Sequence, residues 1–201
     1  MGDLRVLRLK AVNNHITLGA GFFPVMRRIV VVGTSGTGKT TVASLIAEAM
    51  EAPHIELDSL HWEHGWKEAP DEVFKARTAE ATSGDKWVAD GNYSKVRDIL
   101  WGKADTVVWL DYPLWLAFWR VLRRTVVRVV TREELWNGNK EGLSALVGSD
   151  SMPLWVLKTF GRRRREYPEL FNCPEYRHLT VIRHRSTAET GRWLAELSSR
   201  E

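Results

Sequence analysis

One cysteine, Cys173, is all that the 201 residues contain, so an internal disulfide and a cysteine-built metal centre are both excluded. A reducing cytoplasm is the compartment this usage suits. Long apolar runs are also missing. The best stretch, "VVWLDYPLWLAFW" at 107–119, is broken by Asp111 and Pro113, and a spanning helix needs roughly 18–20 apolar residues, so no membrane partner is expected. The first residues do not read as a secretory leader, because Arg5, Arg8 and Lys10 interrupt their apolar content. There is no Asn-Lys-x-Asp motif for reading guanine, since "GNKEG" at 138–142 does not fit, and no strand ends in the Asp-Glu pair with which hydrolytic motors polarise water. Guanine-dependent switching and hydrolysis for mechanical work are thereby disfavoured. No helix-turn-helix, zinc-finger or RNA-binding signature is visible either. The formal charge of +4 and pI near 9.3 suit an anionic substrate and nucleic acid alike.

What is present begins at 28–50, "RIVVVGTSGTGKTTVASLIAEAM". Within it "GTSGTGKT" fits G-x-x-x-x-G-K-[ST], and Gly33, Thr34, Ser35, Gly36, Thr37, Gly38, Lys39, Thr40 and Thr41 form the expected nucleotide-binding set. Glycines let backbone N–H groups curl round phosphates, Lys39 reaches the β and γ oxygens, and Thr40 takes Mg²⁺. The context has the required order. Ile29–Val32 read as a buried parallel strand, and Val42, Leu45, Ile46, Ala49 and Met50 recur at helical spacing just after the loop.

Further β-rich runs follow at 53–57, 86–90, 105–110 and 178–182, separated by helical or loop segments. This pattern predicts an α/β chain with a parallel sheet of about five strands covered on both faces. Ligands of such sheets bind beyond the carboxyl ends of the strands. Asp58, Asp90–Tyr93, Asp111 and the residues from Arg183 to Ser186 are therefore the positions to watch. Asp111, followed by Tyr112, Pro113 and an apolar helix, reads most simply as an N-terminal cap. Ser186 with Glu189 reads as a capping box. Residues 1–25 lack periodicity and end in a Gly-Phe-Phe-Pro break, so they are expected to be a loosely packed extension or an overlong start, with one domain over 26–201.

In "GTSGTGKT", "IELDSLHWEHGW", "WVADGNY", "ADTVVWLDYP" and the arginine-rich helix after it, spanning roughly 28–195, the sequence resembles the adenylate-kinase-like P-loop kinases, most closely the topology modulation subgroup. The resemblance implies a P-loop NTPase three-layer sandwich of nucleoside-monophosphate-kinase type, with ATP and Mg²⁺ as donor. It implies an acceptor-binding segment over 57–83 and an arginine-bearing lid over 120–166. By the same likeness Asp90 orients Mg²⁺ through water, while Asp58 sits where acceptors are gripped. Where adenylate kinases hold the AMP phosphate with arginines, this chain has His61 and Ser94, which disfavours AMP. Arg97 lies one turn beyond Ser94. Arg183 and Arg185 fall where related kinases border the adenine.

The segment 57–74 carries Asp58, His61, Trp62, His64 and Trp66. Its rings suit either a stacked acceptor or core filling, and the two histidines lack a third metal ligand. In "PLWLAFWRVLRRTVVRVV", helical spacing puts Phe118, Val121, Leu122, Thr125 and Val129 on a buried stripe and Arg120, Arg123, Arg124 and Arg128 opposite. With no interleaved acids that stripe repels itself, so an anion complements it, and Arg120 and Arg124 are the expected ligands. Residues 131–151 read as a mobile cover, and one arginine of 162–165 is expected to reach phosphate on closure.

The catalytic set expected from sequence is thus Lys39, Asp58, Asp90, Arg120 and Arg124, with Thr40 and Asp90 at the metal. The reading is phosphoryl transfer to a small-molecule or nucleotide acceptor. The alternative is an ATP-binding protein that engages nucleic acid through its arginine helices. Deleting residues 1–25 is expected to leave nucleotide binding intact, as measured by titration of both forms with ATP; loss of binding would make the extension part of the working domain.

Overall fold

The structure, a computed structural model, describes residues 15–16, 26–146, 148 and 151–199. Of the extension expected over 1–25, all but His15–Ile16 lies outside the described residues.

The chain runs β1 (His15–Ile16), β2 (Arg28–Gly33), α1 (Lys39–Ala49), β3 (His54–Glu56), α2 (Leu57–His61), β4 (Trp62–Glu63), β5 (Lys67–Glu68) and α3 (Asp71–Ala81). It continues β6 (Trp87–Asp90), α4 (Arg97–Lys103), β7 (Thr106–Leu110), α5 (Leu114–Thr131), α6 (Met152–Phe171), β8 (Thr180–His184) and α7 (Thr187–Ser198). The main sheet has the order β1-β8-β7-β2-β6-β3, with β4 and β5 paired separately. Five parallel strands form its body, and the two-residue β1 adds a sixth, pairing His15 with Val181 and Ile16 with Ile182.

The consecutive apolar run of β2 is explained by period-two alternation between two covered faces. Val30 and Val32 join Trp87, Ala89, Val107 and Trp109 on the face covered by α3, α4 and the end of α6. Ile29 and Val31 join Val88, Val108 and Leu110 beneath α1 and α7. This is the three-layer sandwich expected from the sequence.

Three local expectations are corrected. The fourth expected run shifts two residues along, so Arg183 and His184 belong to β8 itself. The second strand stops at Glu56, and Asp58 lies in the first turn of α2, still beyond the carboxyl end of the sheet. Asp111 caps nothing: α5 starts at Leu114 with Pro113 as its cap residue. Its buried carboxylate instead accepts from Arg164 Nε at 2.6 Å and Nη2 at 3.1 Å, and from Arg183 Nε at 3.1 Å and Nη2 at 2.5 Å. One carboxylate thus fastens α6 to β8. The Ser186 cap is as expected, with the Glu189 N–H donating to Ser186 Oγ at 3.2 Å.

The buried stripe of α5 is Ala117, Val121 and Thr125, while Phe118, Leu122 and Val129 are only half-buried. Small residues face inward because the helix lies directly on the glycine-rich loop. A Cβ placed on Gly36, whose φ is +86°, would stand 2.3 Å from the Ala117 carbonyl oxygen and 2.7 Å from Val121 Cγ2. Gly38 has the same φ, but its nearest neighbour is Arg120 Nη1 at 3.8 Å. Gly36→Ala is therefore expected to destabilise the fold by about 2–4 kcal/mol, from left-handed strain plus overpacking, against about 1–2 kcal/mol for Gly38→Ala from strain alone. Denaturant unfolding of the two variants checks this, and equal losses would mean that α5 does not rest on the loop.

Candidate active site

Beyond the carboxyl end of β2, the loop from Gly33 to Gly38 wraps into the N-terminus of α1. Gly38 takes the left-handed conformation as its cap residue, and no side chain caps the helix. Its first N–H groups are left for an anion, with the positive end of the helix dipole behind them. The loop is braced from inside, where Thr37 Oγ1 donates to the Thr34 carbonyl at 2.8 Å. It is braced from outside by Asn92. The Gly33 N–H donates to Asn92 Oδ1 at 3.2 Å, Asn92 Nδ2 donates to the Gly33 carbonyl at 2.7 Å, and the Tyr167 hydroxyl donates to Asn92 Oδ1 at 2.8 Å.

Lys39 leans over this loop, with Nζ 3.5 Å from the Thr34 carbonyl. Its pKa is pushed down from 10.5 to about 8, chiefly by burial and also by Arg163 and Arg124, against the upward pull of Asp90 and Asp58. The four residues named in that balance surround the lysine from four elements: α6, α5, β6 and α2. The guanidinium pKa values of Arg124 and Arg163 are also lowered, chiefly by burial. Buried Arg124 Nε and Arg163 Nη1 have no hydrogen-bond partner. Buried donors are normally paired, so two orphaned guanidinium nitrogens beside an uncapped helix end mark a place shaped for an anion.

Asp90 ends β6 and is buried, with its pKa raised chiefly by desolvation; hydrogen bonding to Thr40 and the charges of Lys39 and His54 act the other way. His54 Nε2 lies 3.9 Å from Asp90 Oδ1, and Asp90 Oδ2 has no partner. A buried carboxylate oxygen left open beside the Thr40 hydroxyl is chemically suited to a hard divalent cation such as Mg²⁺. Among the described residues, no cluster of three or more His, Cys, Asp or Glu side chains forms a metal site. Asp58, across the loop, accepts from the Tyr93 hydroxyl at 2.5 Å. Burial and the Asp58 charge push the Tyr93 pKa well up, keeping the phenol a donor. Tyr93 is wedged in turn against His61 and Phe74.

The arginines of α5 divide instead of forming one solvated face. Arg120 and Arg123 are exposed, and Arg124 turns inward toward Lys39. Arg128 is paired, through Nη1 to Glu141 at 3.1 Å and Nε to Glu133 at 3.6 Å. The interleaving acids, expected to be absent, come from the segment after the helix. Of 162–165, Arg163 points inward, Arg164 is held by Asp111, and Arg162 pairs with Glu166. Helical spacing contained this signal, because Val156, Thr159, Arg163 and Tyr167 share the buried stripe of α6. Arg162 and Arg163, with Ser94, Arg97, Glu166 and Glu169, also line a cleft of about 450 Å³ that reaches Asn92. Asp90–Tyr93 were positions to watch, but the bracing contacts made by Asn92 and Tyr93, and which arginine of 162–165 turns inward, were not predicted from sequence.

The expected cover docks onto the expected acceptor segment. Trp136 Nε1 donates to Glu56 Oε2 at 2.9 Å, the Trp66 N–H donates to Asn139 Oδ1 at 2.8 Å, and Asn139 Nδ2 donates to the Glu63 carbonyl at 2.9 Å. Trp66 has φ +55°, unusual for so bulky a side chain, and the Asn139 bond holds it there. Trp62 and Trp66 meet edge to face at 5.5 Å.

A family model described as "ATPase family associated with various cellular activities (AAA)" matches residues 29–111, the part that carries the loop and the strands beside it. No curated protein matches the sequence. Among solved structures, a gluconokinase from Sinorhizobium meliloti 1021 is similar with TM-score 0.50 and 21% identity, covering 86% of this chain and 90% of that one. A shikimate kinase from Bacteroides thetaiotaomicron is similar with TM-score 0.50 and 16% identity, covering 87% of this chain and 97% of that one. The likeness is one of fold: the chain has the architecture of P-loop small-molecule kinases. Among the described residues, no helix is long and apolar enough to cross a membrane.

A phosphate bound beside Lys39 favours its charged form and returns its pKa upward. With the free value at about 8, binding at pH 8.5 should take up roughly three-quarters of a proton. Calorimetric titration with ATP in buffers of different ionisation enthalpy reads this uptake, which should vanish in Lys39→Met. Uptake unchanged by that substitution would assign the proton to another group.

Proposed function

We propose that the chain is an ATP- and Mg²⁺-dependent kinase whose acceptor is a small molecule carrying a hydroxyl and an anionic group. The observation that carries this reading is the convergence of Lys39 with the unpartnered Arg124 Nε and Arg163 Nη1 at the uncapped start of α1. Loop amides and Lys39 would hold the donor phosphates. Arg124 and Arg163 would neutralise charge developing on the transferred group, and exposed Arg120, beside Gly38, would close on the outer phosphate oxygens. Thr40 and Asp90 would hold Mg²⁺, which when bound supplies charge neutralisation and orientation.

Asp58 would orient the acceptor hydroxyl and accept its proton, its own position fixed by the Tyr93 hydroxyl. The arginines of the cleft near Asn92 supply the complement for the acceptor's anionic group. The docked segment around Trp136 and Asn139 excludes water from the reacting atoms, which disfavours hydrolysis of the donor. We place these roles on one domain over 26–201 in a reducing cytoplasm. The motif order over 28–195 supports an adenylate-kinase-like enzyme of the topology modulation subgroup. A nucleic-acid role is less well supported, because Arg124, Arg128, Arg163 and Arg164 are turned inward or paired and the exposed basic face is broken.

The test is phosphoryl transfer from ATP with Mg²⁺ to a panel of nucleosides, nucleoside monophosphates and hydroxylated acids or phosphosugars. Acceptor-dependent turnover is expected, abolished in Lys39→Ala and lowered about 10²–10⁴-fold in Asp58→Asn with ATP binding retained. Tight ATP binding with no acceptor-stimulated turnover across the panel would overturn the kinase reading.

A further inference from the structure

The outer face of α5 has no partner within the described structure, although among the described residues α5 carries more large exposed apolar side chains than any other helix. Trp115 is 64%, Trp119 61%, Val126 41% and Val130 77% exposed. At about 100° per residue these four fall within an arc of about 60°. Trp115, Trp119, half-buried Leu122, Val126 and half-buried Val129 follow the alternating four-and-three spacing of a helix-pairing seam, with Val130 beside its end. Exposed Arg123 and Arg120, with exposed Val127 between them around the helix, bound the stripe on one side, and on the other it runs into the face packed on the phosphate loop.

We propose that this stripe is the contact between two copies of the chain, packed antiparallel about a two-fold axis between Leu122 and Arg123. Self-complementarity carries the assignment. The bulky residues lie in the first half of the stripe and the small ones in the second. An antiparallel two-fold therefore sets Trp115 against Val130 and Trp119 against Val126 of the second copy, and Leu122 against the aliphatic stem of Arg123. Large meets small twice over, as close packing requires.

The size is also adequate. Aromatic side chains carry about 150–250 Å² each, so the two tryptophans and their neighbours leave roughly 500 Å² of apolar surface uncovered per copy. Two such stripes would bury about 1,000 Å², the lower bound of a specific interface. A bilayer places no demand on the order of large and small residues along the stripe, whereas that order is what a two-fold helix contact requires, which favours a second copy as occupant. The opposite face of α5 rests on Gly36 and turns Arg124 toward Lys39, so the contact would also steady the helix that completes the phosphate site.

Sedimentation velocity of the full chain tests the proposal. A dimer is expected at micromolar concentration, converting to monomer in Trp119→Glu with the circular dichroism spectrum and ATP binding retained. The register is read separately in a Cys173→Ser background. Trp119→Cys combined with Val126→Cys should oxidise to a covalent dimer, while Val127→Cys, about 100° round the helix from Val126, should not. Raising salt from about 0.05 to about 0.5 M should hold or strengthen the dimer, because the two Arg123 charges near the axis are screened. A monomer at all concentrations, a dimer indifferent to Trp119→Glu, or cross-linking through Val127→Cys alone would overturn it. So would a stripe that instead binds anionic vesicles and releases them as salt rises.

Discussion

Lys39 is pulled two ways, since burial, Arg163 and Arg124 oppose its charge while Asp90 and Asp58 favour it, and much of the molecule serves to keep those groups where they are. Like charges at close range in a partly dry site favour dispersal, so each must be restrained by its own element. The lysine is fixed by the loop and α1. Arg124 is fixed because α5 is seated on Gly36, and Arg163 because α6 is fastened through Arg164 and Asp111 to β8. Asp90 and Asp58 pull in the favourable direction without touching either arginine's unpartnered nitrogen. A polyanion would relieve the repulsion, so the site is held in a form more complementary to such a ligand than to itself.

Asp111 shows how this restraint is distributed. It is among the least exposed carboxylates in the chain and accepts from two guanidinium groups, one on the helix that carries Arg163 and one on the strand beside its own. Arg183 is further flattened over the Trp109 ring at 4.2 Å. A helix bearing a run of four arginines would otherwise be free to rotate any of them toward solvent. With Arg164 taken by Asp111, the 100° step of the helix decides that Arg163 faces the lysine.

The phosphate cradle was legible because its geometry is local. Glycine spacing, the lysine and the following helix all lie within eight residues, and the buried strand before them announces itself by apolar continuity. The layer arrangement was legible for the same reason, since alternating clusters of Val and Ile need no long-range knowledge. What stayed hidden depended on contacts between distant segments. Asn92 grips Gly33 across 59 residues and Asn139 grips the Trp66 backbone across 73, and no periodicity announces either. Asp111 was misread because an aspartate before Tyr-Pro and an apolar helix satisfies a local rule, while a buried carboxylate shared by two arginines from α6 and β8 satisfies a stronger one. Arg128 was misread because its acids arrive from a loop whose path the helix pattern does not encode.

Asn139 has one further consequence. Its single side chain accepts from the Trp66 N–H and donates to the Glu63 carbonyl and, within the cover itself, to the Trp136 carbonyl, so these three contacts share one member. Such bonds contribute about 1 kcal/mol each, and sharing makes them break together and not in turn. Loss of that one amide would therefore release both of its anchor points on 57–83 at once, while leaving Trp136 on Glu56 and Asn137 on Trp62 in place.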